Sequence, residues 1–192
     1  MTTTPSTIHR LIPLTGAVAA AVLLTACGSM MSPPSQSMYS QDSLPDAIKV
    51  PAGNKVAMET VGVGEITYEC RDKTNMPGQT EWVFVGPKAA LNDRSGKPVG
   101  TYYGPPATWE SNDGSKLTAT QLAVAPSGTG NLPYQLVKAN PAMGTGALTG
   151  VTFIQRVALK GGVAPAAACT MANKGERQIV KYQADYIFWK AA

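Results

Sequence analysis

The sequence contains a single histidine, His9, among its 192 residues. His9 lies in an N-terminal segment with the features of a cleaved export signal, so we expect the mature protein to contain no imidazole. This absence excludes Ser-His-Asp and Cys-His catalysis, imidazole acid–base chemistry and zinc or copper sites with histidine ligands.

Charge is also scarce, since only 15% of the residues are charged. The net charge of +4 and the pI near 9.0 come from basic residues that stand singly, with no Lys/Arg run and no basic stripe. Nucleic-acid binding is therefore not predicted. No glycine-rich phosphate motif and no set of cysteines and carboxylates with metal-ligand spacing is present, so neither a cofactor nor a metal site is predicted.

No long stretch has helical periodicity, whereas short alternating segments and turn signals recur along the chain. The 19 glycines and 15 prolines favour many turns. The alternation predicts an all-β fold, a single antiparallel β-sandwich or barrel-like domain with irregular loops. The last segment, with Val180, Tyr182 and Tyr186 on one face, is expected to pair near the first strand and close the sheet.

Two apolar segments carry more specific expectations. Residues 81–85 are nearly all apolar, which predicts a central strand that is buried on both faces. Residues 150–169 predict a strand in which Val151, Phe153, Val157 and Leu159 share one side. Gln155 is the polar residue that interrupts this row.

The N-terminus is predicted to be a lipoprotein signal peptide. His9 and Arg10 precede an apolar run over residues 11–24, and Leu24-Thr25-Ala26-Cys27 resembles a bacterial lipobox. Cys27 is the expected lipidation site, and an ordinary secretory signal cut near Ala26 is the alternative. The predicted division is a signal peptide over 1–26, a lipidated cysteine and flexible tether over 27–48, and a β-rich domain over 49–192.

The remaining cysteines are Cys70 and Cys169. In an oxidising periplasm, two cysteines outside any CxxC motif favour a disulfide over a metal pair or a nucleophile. By resemblance to enterobacterial lipoproteins, Gly28 after the lipidated cysteine implies the outer membrane. We therefore expect a bacterial cell-envelope protein, anchored by lipid and facing the periplasm.

Motifs spread over residues 50–190 resemble an uncharacterised family of exported β-rich proteins, domain of unknown function 3455. They are VPAGNKVA from Val50, ITYEC from Ile66, WVFVGPKAAL from Trp82, FIQR from Phe153, GGVAP from Gly161 and ADYIFW from Ala184. The resemblance implies a β-rich exported fold with paired cysteines and brings no activity or catalytic residues. The chain departs from the family at Tyr102, where a histidine usually follows Gly-Thr.

One aromatic and acidic cluster is a candidate ligand-binding site: Tyr102, Tyr103, Trp109, Glu110 and Asp113. Its aromatic rings could stack on a sugar while the carboxylates bind the hydroxyl groups. The competing interpretation is that Trp109 fills the core and Asp113 only forms a hairpin turn. Arg156 is either an anion site or, as such residues more often are, the partner of a carboxylate such as Glu69 or Asp185.

Together these features favour a non-enzymatic envelope lipoprotein that binds a ligand or a protein partner, or acts structurally. The alternative is a carboxylate-based hydrolase of envelope glycans, for which Glu110 and Asp113 would be the paired acids. No catalytic residue is assigned.

Overall fold

The computed structural model describes residues 39–192, and eight antiparallel strands form one closed sheet in this part of the chain. The strands are β1 (Asn54–Asp72), β2 (Thr80–Asn92), β3 (Pro98–Tyr103), β4 (Thr108–Ser111), β5 (Lys116–Ala125), β6 (Tyr134–Ala139), β7 (Val151–Gly161) and β8 (Arg177–Ala191). Two short 3-10 helices cover Asp46–Ile48 and Met171–Asn173. Within these residues, no helix has the length and apolar character needed to cross a membrane.

Each strand pairs with the next one along the chain, and β8 returns to pair with β1. The pairing of β1 with β8 runs from Asn54 opposite Ala191 to Glu69 opposite Arg177. The predicted all-β class and the predicted closing role of the last strand are therefore confirmed. Of the two predicted architectures, the structure is the closed barrel.

Because consecutive antiparallel strands alternate in direction, their connections alternate between the two ends of the barrel. We call the end that carries the loops after β1, β3, β5 and β7 the mouth, and the opposite end the base. At the base, the loop between β6 and β7 inserts Leu148, which is 2% exposed, into the core. Asp113 fixes this loop, because its Oδ2 accepts a hydrogen bond from the Ala147 backbone N–H at 2.6 Å.

Large side chains fill the interior between the strands. Trp109, Tyr186, Phe188, Ile66 and Leu117 are among the largest that are fully buried. Gly62 on β1 faces Tyr186, and a Cβ placed at Gly62 would lie 2.6 Å from Cε2 of that ring. The absence of a side chain at this position therefore makes room for the buried tyrosine.

Residues 39–50 lie against the outer surface of the barrel, where a second apolar cluster forms. Ile48 and Val50 pack there with Val157, Ile187 and Trp189. The described part of the predicted tether, from Tyr39 onward, thus contacts the barrel. The rest of that tether, the predicted signal peptide and Cys27 lie outside the described residues.

Gln155 fixes this N-terminal segment to β7. Its side-chain nitrogen donates to the carbonyl oxygen of Ile48 at 2.7 Å and to Oε1 of Gln41 at 3.0 Å. Its side-chain oxygen accepts from Nε1 of Trp189 at 3.0 Å. A polar residue with no exposed surface is therefore fully used in hydrogen bonds.

The predicted apolar row on β7 is wrong. The pairing of β7 with β8 shifts between Val151 and Phe153 and again between Val157 and Lys160. Val151 and Leu159 consequently belong to the interior core, whereas Phe153 and Val157 belong to the outer cluster. Each bulge adds an unpaired residue, which reverses the face that the following side chains occupy.

The predicted disulfide is present between Cys70 and Cys169. It joins β1 to the long loop between β7 and β8 at the mouth. Trp82 on β2 holds the same loop, because its Nε1 donates to the Ala167 carbonyl oxygen at 2.7 Å. Two independent ties therefore place this loop over the mouth.

Candidate functional site

A cavity of about 230 Å³ lies inside the barrel at the mouth. We call it the mouth cavity. Side chains from six consecutive strands line it, and the connection between β3 and β4 forms its rim with Gly104, Pro105 and Ala107. The larger side chains that line it are Phe84, Tyr102, Trp109, Gln121, Gln135 and Arg156.

The cavity exists because the barrel wall is incomplete on this side. β2 pairs with β3 only from Lys88 to Asn92, so its first half has no β3 neighbour. Phe84 lies in that half, and its side chain is 49% exposed. The prediction that residues 81–85 are buried on both faces is therefore wrong. Phe84 pairs with the inward-facing Tyr68, so it faces the mouth of the barrel rather than a packed layer.

Arg156 lines the cavity from β7 with few protein partners. Its Nη2 donates to the Pro133 carbonyl oxygen at 3.0 Å. No salt bridge to Arg156 occurs within residues 39–192. A guanidinium has five N–H groups, so four remain without an acceptor among the described residues.

The carboxylates expected beside Arg156 are used elsewhere. Glu69 accepts from Arg71 at 2.9 Å and from Arg177 at 2.7 Å, and these two contacts lower its pKa to about 2. Asp185 forms a salt bridge with Arg94 at 2.5 Å on the outer surface. The expected pairing of Arg156 with either acid is therefore wrong, and the anion-site interpretation gains weight.

Two donors beside the cavity have no acceptor in the protein. Nε1 of Trp109 and Nε of Arg156 are both buried and without a hydrogen-bond partner in the described residues. Buried N–H groups are nearly always paired, because an unpaired one costs about 1–3 kcal/mol. Both of these buried unpaired groups are therefore donors, and each lies below the accessible surface of the wall.

The tyrosines near Arg156 carry no negative charge that could balance the positive charge of its guanidinium. Burial raises the pKa of Tyr102 and raises that of Tyr182 to about 12. Burial also holds the pKa of Tyr186 well above its ordinary value. All three phenols are consequently neutral at physiological pH. No carboxylate is among the cavity-lining residues of the described chain.

Aromatic rings and side-chain amides form the rest of the cavity wall. The ring of Tyr102 stacks on that of Trp109 with centroids 4.7 Å apart. Nε2 of Gln135 donates to Oε1 of Gln121 at 2.6 Å. The cavity therefore combines flat apolar surface, neutral polar groups and one cation.

The structure divides the candidate cluster proposed from the sequence. Tyr102 and Trp109 are buried inside the barrel, whereas Tyr103 and Glu110 lie on its outer face and form a hydrogen bond of 2.6 Å. Asp113 lies in the turn at the base. Its Oδ1 accepts from both the backbone N–H and the hydroxyl of Ser115, and these contacts together with Ala147 lower its pKa to about 2.

Sequence reasoning did not select Phe84, Gln121 or Gln135. Each faces the interior, as its pairing partner shows: Gln121 lies opposite the buried Val137, and Gln135 lies opposite Arg156. A glutamine on the apolar face of a strand is a detectable signal. It indicates a site only when the strand register places two such residues next to each other.

A second, larger depression lies on the outer face of β1, β2 and β3. This outer groove has a volume of about 1040 Å³ and is lined by residues such as Val63, Lys88, Tyr103 and Lys181. Tyr102, Pro87, Gly104 and Pro105 contribute to both depressions. The connection between β3 and β4 therefore forms a common wall of the mouth cavity and the outer groove.

The family model described as Protein of unknown function (DUF3455) matches residues 51–190. Since this match covers most of the chain, the protein belongs to that family, as the sequence motifs indicated. Comparisons with curated proteins and with solved structures give no match.

Proposed function

We propose that this family member is a lipid-anchored cell-envelope protein that binds a small ligand in the mouth cavity. It would face the periplasm from the outer membrane, with residues 28–38 linking the lipid to the barrel. In this proposal the barrel binds and holds its ligand without catalysis.

The observation that carries the proposal is Arg156 inside the barrel without a carboxylate. The Arg156 side chain is partly buried and its Nε has no accessible surface, and a charge held in such a place is costly unless it is paired. Here the charge lines a cavity of about 230 Å³, which is roughly the volume of seven or eight water molecules at about 30 Å³ each. A bound ligand would supply the missing partner.

Two features support the envelope location. The charged end, the apolar run and the tetrapeptide that ends at Cys27 have the order of a lipoprotein signal. The disulfide between Cys70 and Cys169 fits an oxidising compartment. Several acyl chains on Cys27 would give stable anchoring where a single chain is marginal.

The hydrolase alternative has less support. Glycoside hydrolysis needs one carboxyl group that is protonated at working pH and a second one close by. Asp113 has a pKa of about 2, because three hydrogen bonds hold its anionic form, so it is a poor proton donor at neutral pH. Its carboxylate secures the base of the barrel, while Glu110 is bonded to Tyr103 on the outer face.

Native mass spectrometry of the full protein tests the proposal. The protein would be purified from its own host's membranes in detergent, without reductant. We expect a discrete adduct that survives purification and is lost in Phe84→Ala, which removes part of the cavity wall. Leu122→Ala is the matched control, because Leu122 is similarly exposed at 52% but does not line the cavity. Protein without any adduct, or an adduct unaffected by Phe84→Ala, would contradict the proposal.

The anchor needs a separate test. Cys27→Ser should move the protein from the membrane fraction to the soluble fraction and remove the acyl mass from the N-terminal peptide. Cys27→Ser that stays in the membrane fraction would show that lipid on this residue is not the anchor.

A further inference from the structure

We infer that the ligand of the mouth cavity is a small monocarboxylate with a flat apolar body, about the size of benzoate. This inference rests on the proposed function and adds the chemical class of the ligand. Three features of the cavity support it: the charge of Arg156, the number of cations in the lining and the shape of the walls.

The sign of the charge follows from what surrounds Arg156. Within residues 39–192, one of its five N–H groups has an acceptor, and the tyrosines around it are neutral. The glutamine pair that lines the cavity, Gln121 and Gln135, carries no charge either. The cavity therefore presents one uncompensated positive charge, whose complement is an anion.

The number of cations favours a carboxylate over a phosphoryl group. Arg156 is the only Lys or Arg among the cavity-lining residues of the described chain. A guanidinium binds a carboxylate through two parallel hydrogen bonds, which also balances the charge one to one. Phosphate sites commonly add further cations or a series of backbone N–H groups at a helix N-terminus, and no helix in the described part of the chain contributes to this cavity.

The shape of the walls favours a flat apolar body beside the carboxylate. Phe84 lies on β2, with the stacked rings of Tyr102 and Trp109 on β3 and β4. Aromatic walls suit a planar ring, which can stack or pack edge to face. The Nη groups of Arg156 that have no acceptor within residues 39–192 also require acceptors, which a carboxylate has and an ammonium lacks.

Titration of the full protein with a matched set of probes tests the inference. Benzoate, benzamide and inorganic phosphate would each be added while tryptophan fluorescence and the heat of binding are recorded. Benzamide keeps the ring but removes the charge, so we expect it to bind about 10- to 100-fold more weakly than benzoate. Phosphate should neither bind nor displace benzoate.

Three variants test whether Arg156 supplies the positive charge that binds the carboxylate. Arg156→Gln should weaken benzoate binding by about 10- to 100-fold, and Arg156→Lys should retain part of it, because lysine keeps the charge but loses the two-pronged geometry. Arg177→Gln is the control, since Arg177 is an exposed arginine of the outer surface. Thermal melts would verify that each variant folds, and the comparison of probes on the unaltered protein needs no variant at all.

The outcomes separate this inference from the proposed function. Equal binding of benzoate and benzamide, tighter binding of phosphate, or full benzoate binding by Arg156→Gln would overturn the monocarboxylate. An adduct that co-purifies while none of the three probes binds would also overturn it but would leave the ligand-binding function standing. Absence of both adduct and probe binding would refute the two together.

Discussion

Removal of the disulfide by the double substitution Cys70→Ser and Cys169→Ser should lower the free energy of unfolding by about 4–5 kcal/mol. The bridge joins residues 99 positions apart. It ties β1 to the loop after β7, so the covalent ring contains the whole of β2 to β7. In the unfolded chain this ring limits the conformations that most of the domain can adopt.

The magnitude follows from the length of the ring. The chain-entropy relation gives about 4.7 kcal/mol at 25 °C for a ring of roughly a hundred residues. The folded state keeps other ties in this region. The Cys70 backbone N–H donates to the Glu176 carbonyl oxygen, the Gly175 N–H donates to the Cys70 carbonyl oxygen, and Trp82 still donates to Ala167. A domain of this kind has about 5–15 kcal/mol of stability in total, so the variant should fold with a small margin.

Urea denaturation followed by tryptophan fluorescence measures the effect. With a denaturant slope of about 2 kcal/mol per molar, the midpoint should fall by about 2 M. The unaltered protein with reductant should match the variant, and reductant should leave the variant unchanged. A midpoint shift below about 0.5 M would refute the reasoning, since it would mean that the ring does not restrict the unfolded chain.

Three further predictions concern packing and charge. Gly62→Ala should lower stability by about 1–3 kcal/mol, because its Cβ would overlap the buried ring of Tyr186; thermal melting measures it, and an unchanged melting temperature would show that the ring can move. Gln155→Leu should cost about 2–5 kcal/mol, since Nε1 of Trp189 loses its acceptor and the N-terminal segment loses its donor; proteolysis within residues 39–50 should then accelerate, and unaltered cleavage would contradict this. The lowered pKa of Asp113, about 2, means that its carboxylate stabilises the fold above its unfolded pKa near 3.8, and that this contribution disappears as the pH falls through about 2. Asp113→Asn should therefore melt below the unaltered protein at pH 6, with a gap that narrows between pH 4 and pH 2; a constant gap would contradict this assignment.

The strand pattern was predictable because most strands obey a period of two and end at polar turns. β8 shows this best: Tyr182, Ala184 and Tyr186 alternate toward the interior, and the strand pairs with β1 as expected. Local alternation does not distinguish a sandwich from a barrel, because both have one apolar face on each strand. The prediction that the last strand closes the sheet was correct, but alternation alone left the choice between sandwich and barrel open.

The candidate ligand cluster failed as one site because adjacent residues in a strand point to opposite faces. Tyr102 and Tyr103 are neighbours in sequence, yet one stacks on Trp109 inside and the other bonds Glu110 outside. This separation follows from the period of two. Residues that are close in sequence were therefore assigned to one candidate site, although they lie on opposite sides of the barrel wall.

The mouth cavity could not be predicted from the sequence, for a different reason. Phe84, Gln121 and Arg156 come from β2, β5 and β7, and only the register of the closed sheet brings them together. Phe84 shows the same limit, since an apolar residue in an apolar strand predicts burial. Here it faces an opening that exists because β3 and β4 are too short to cover β2.

β7 carries the strongest argument about where the function lies. Its bulges and its two buried faces obscure the apolar row, but the regular alternation between Ile154 and Val157 still places Gln155 and Arg156 on opposite faces. Gln155 points outward and is fully bonded to the N-terminal segment, whereas Arg156 points inward with most of its donors unused. The Arg156 guanidinium, which has no salt bridge within residues 39–192, is therefore the group that the proposed ligand would pair with.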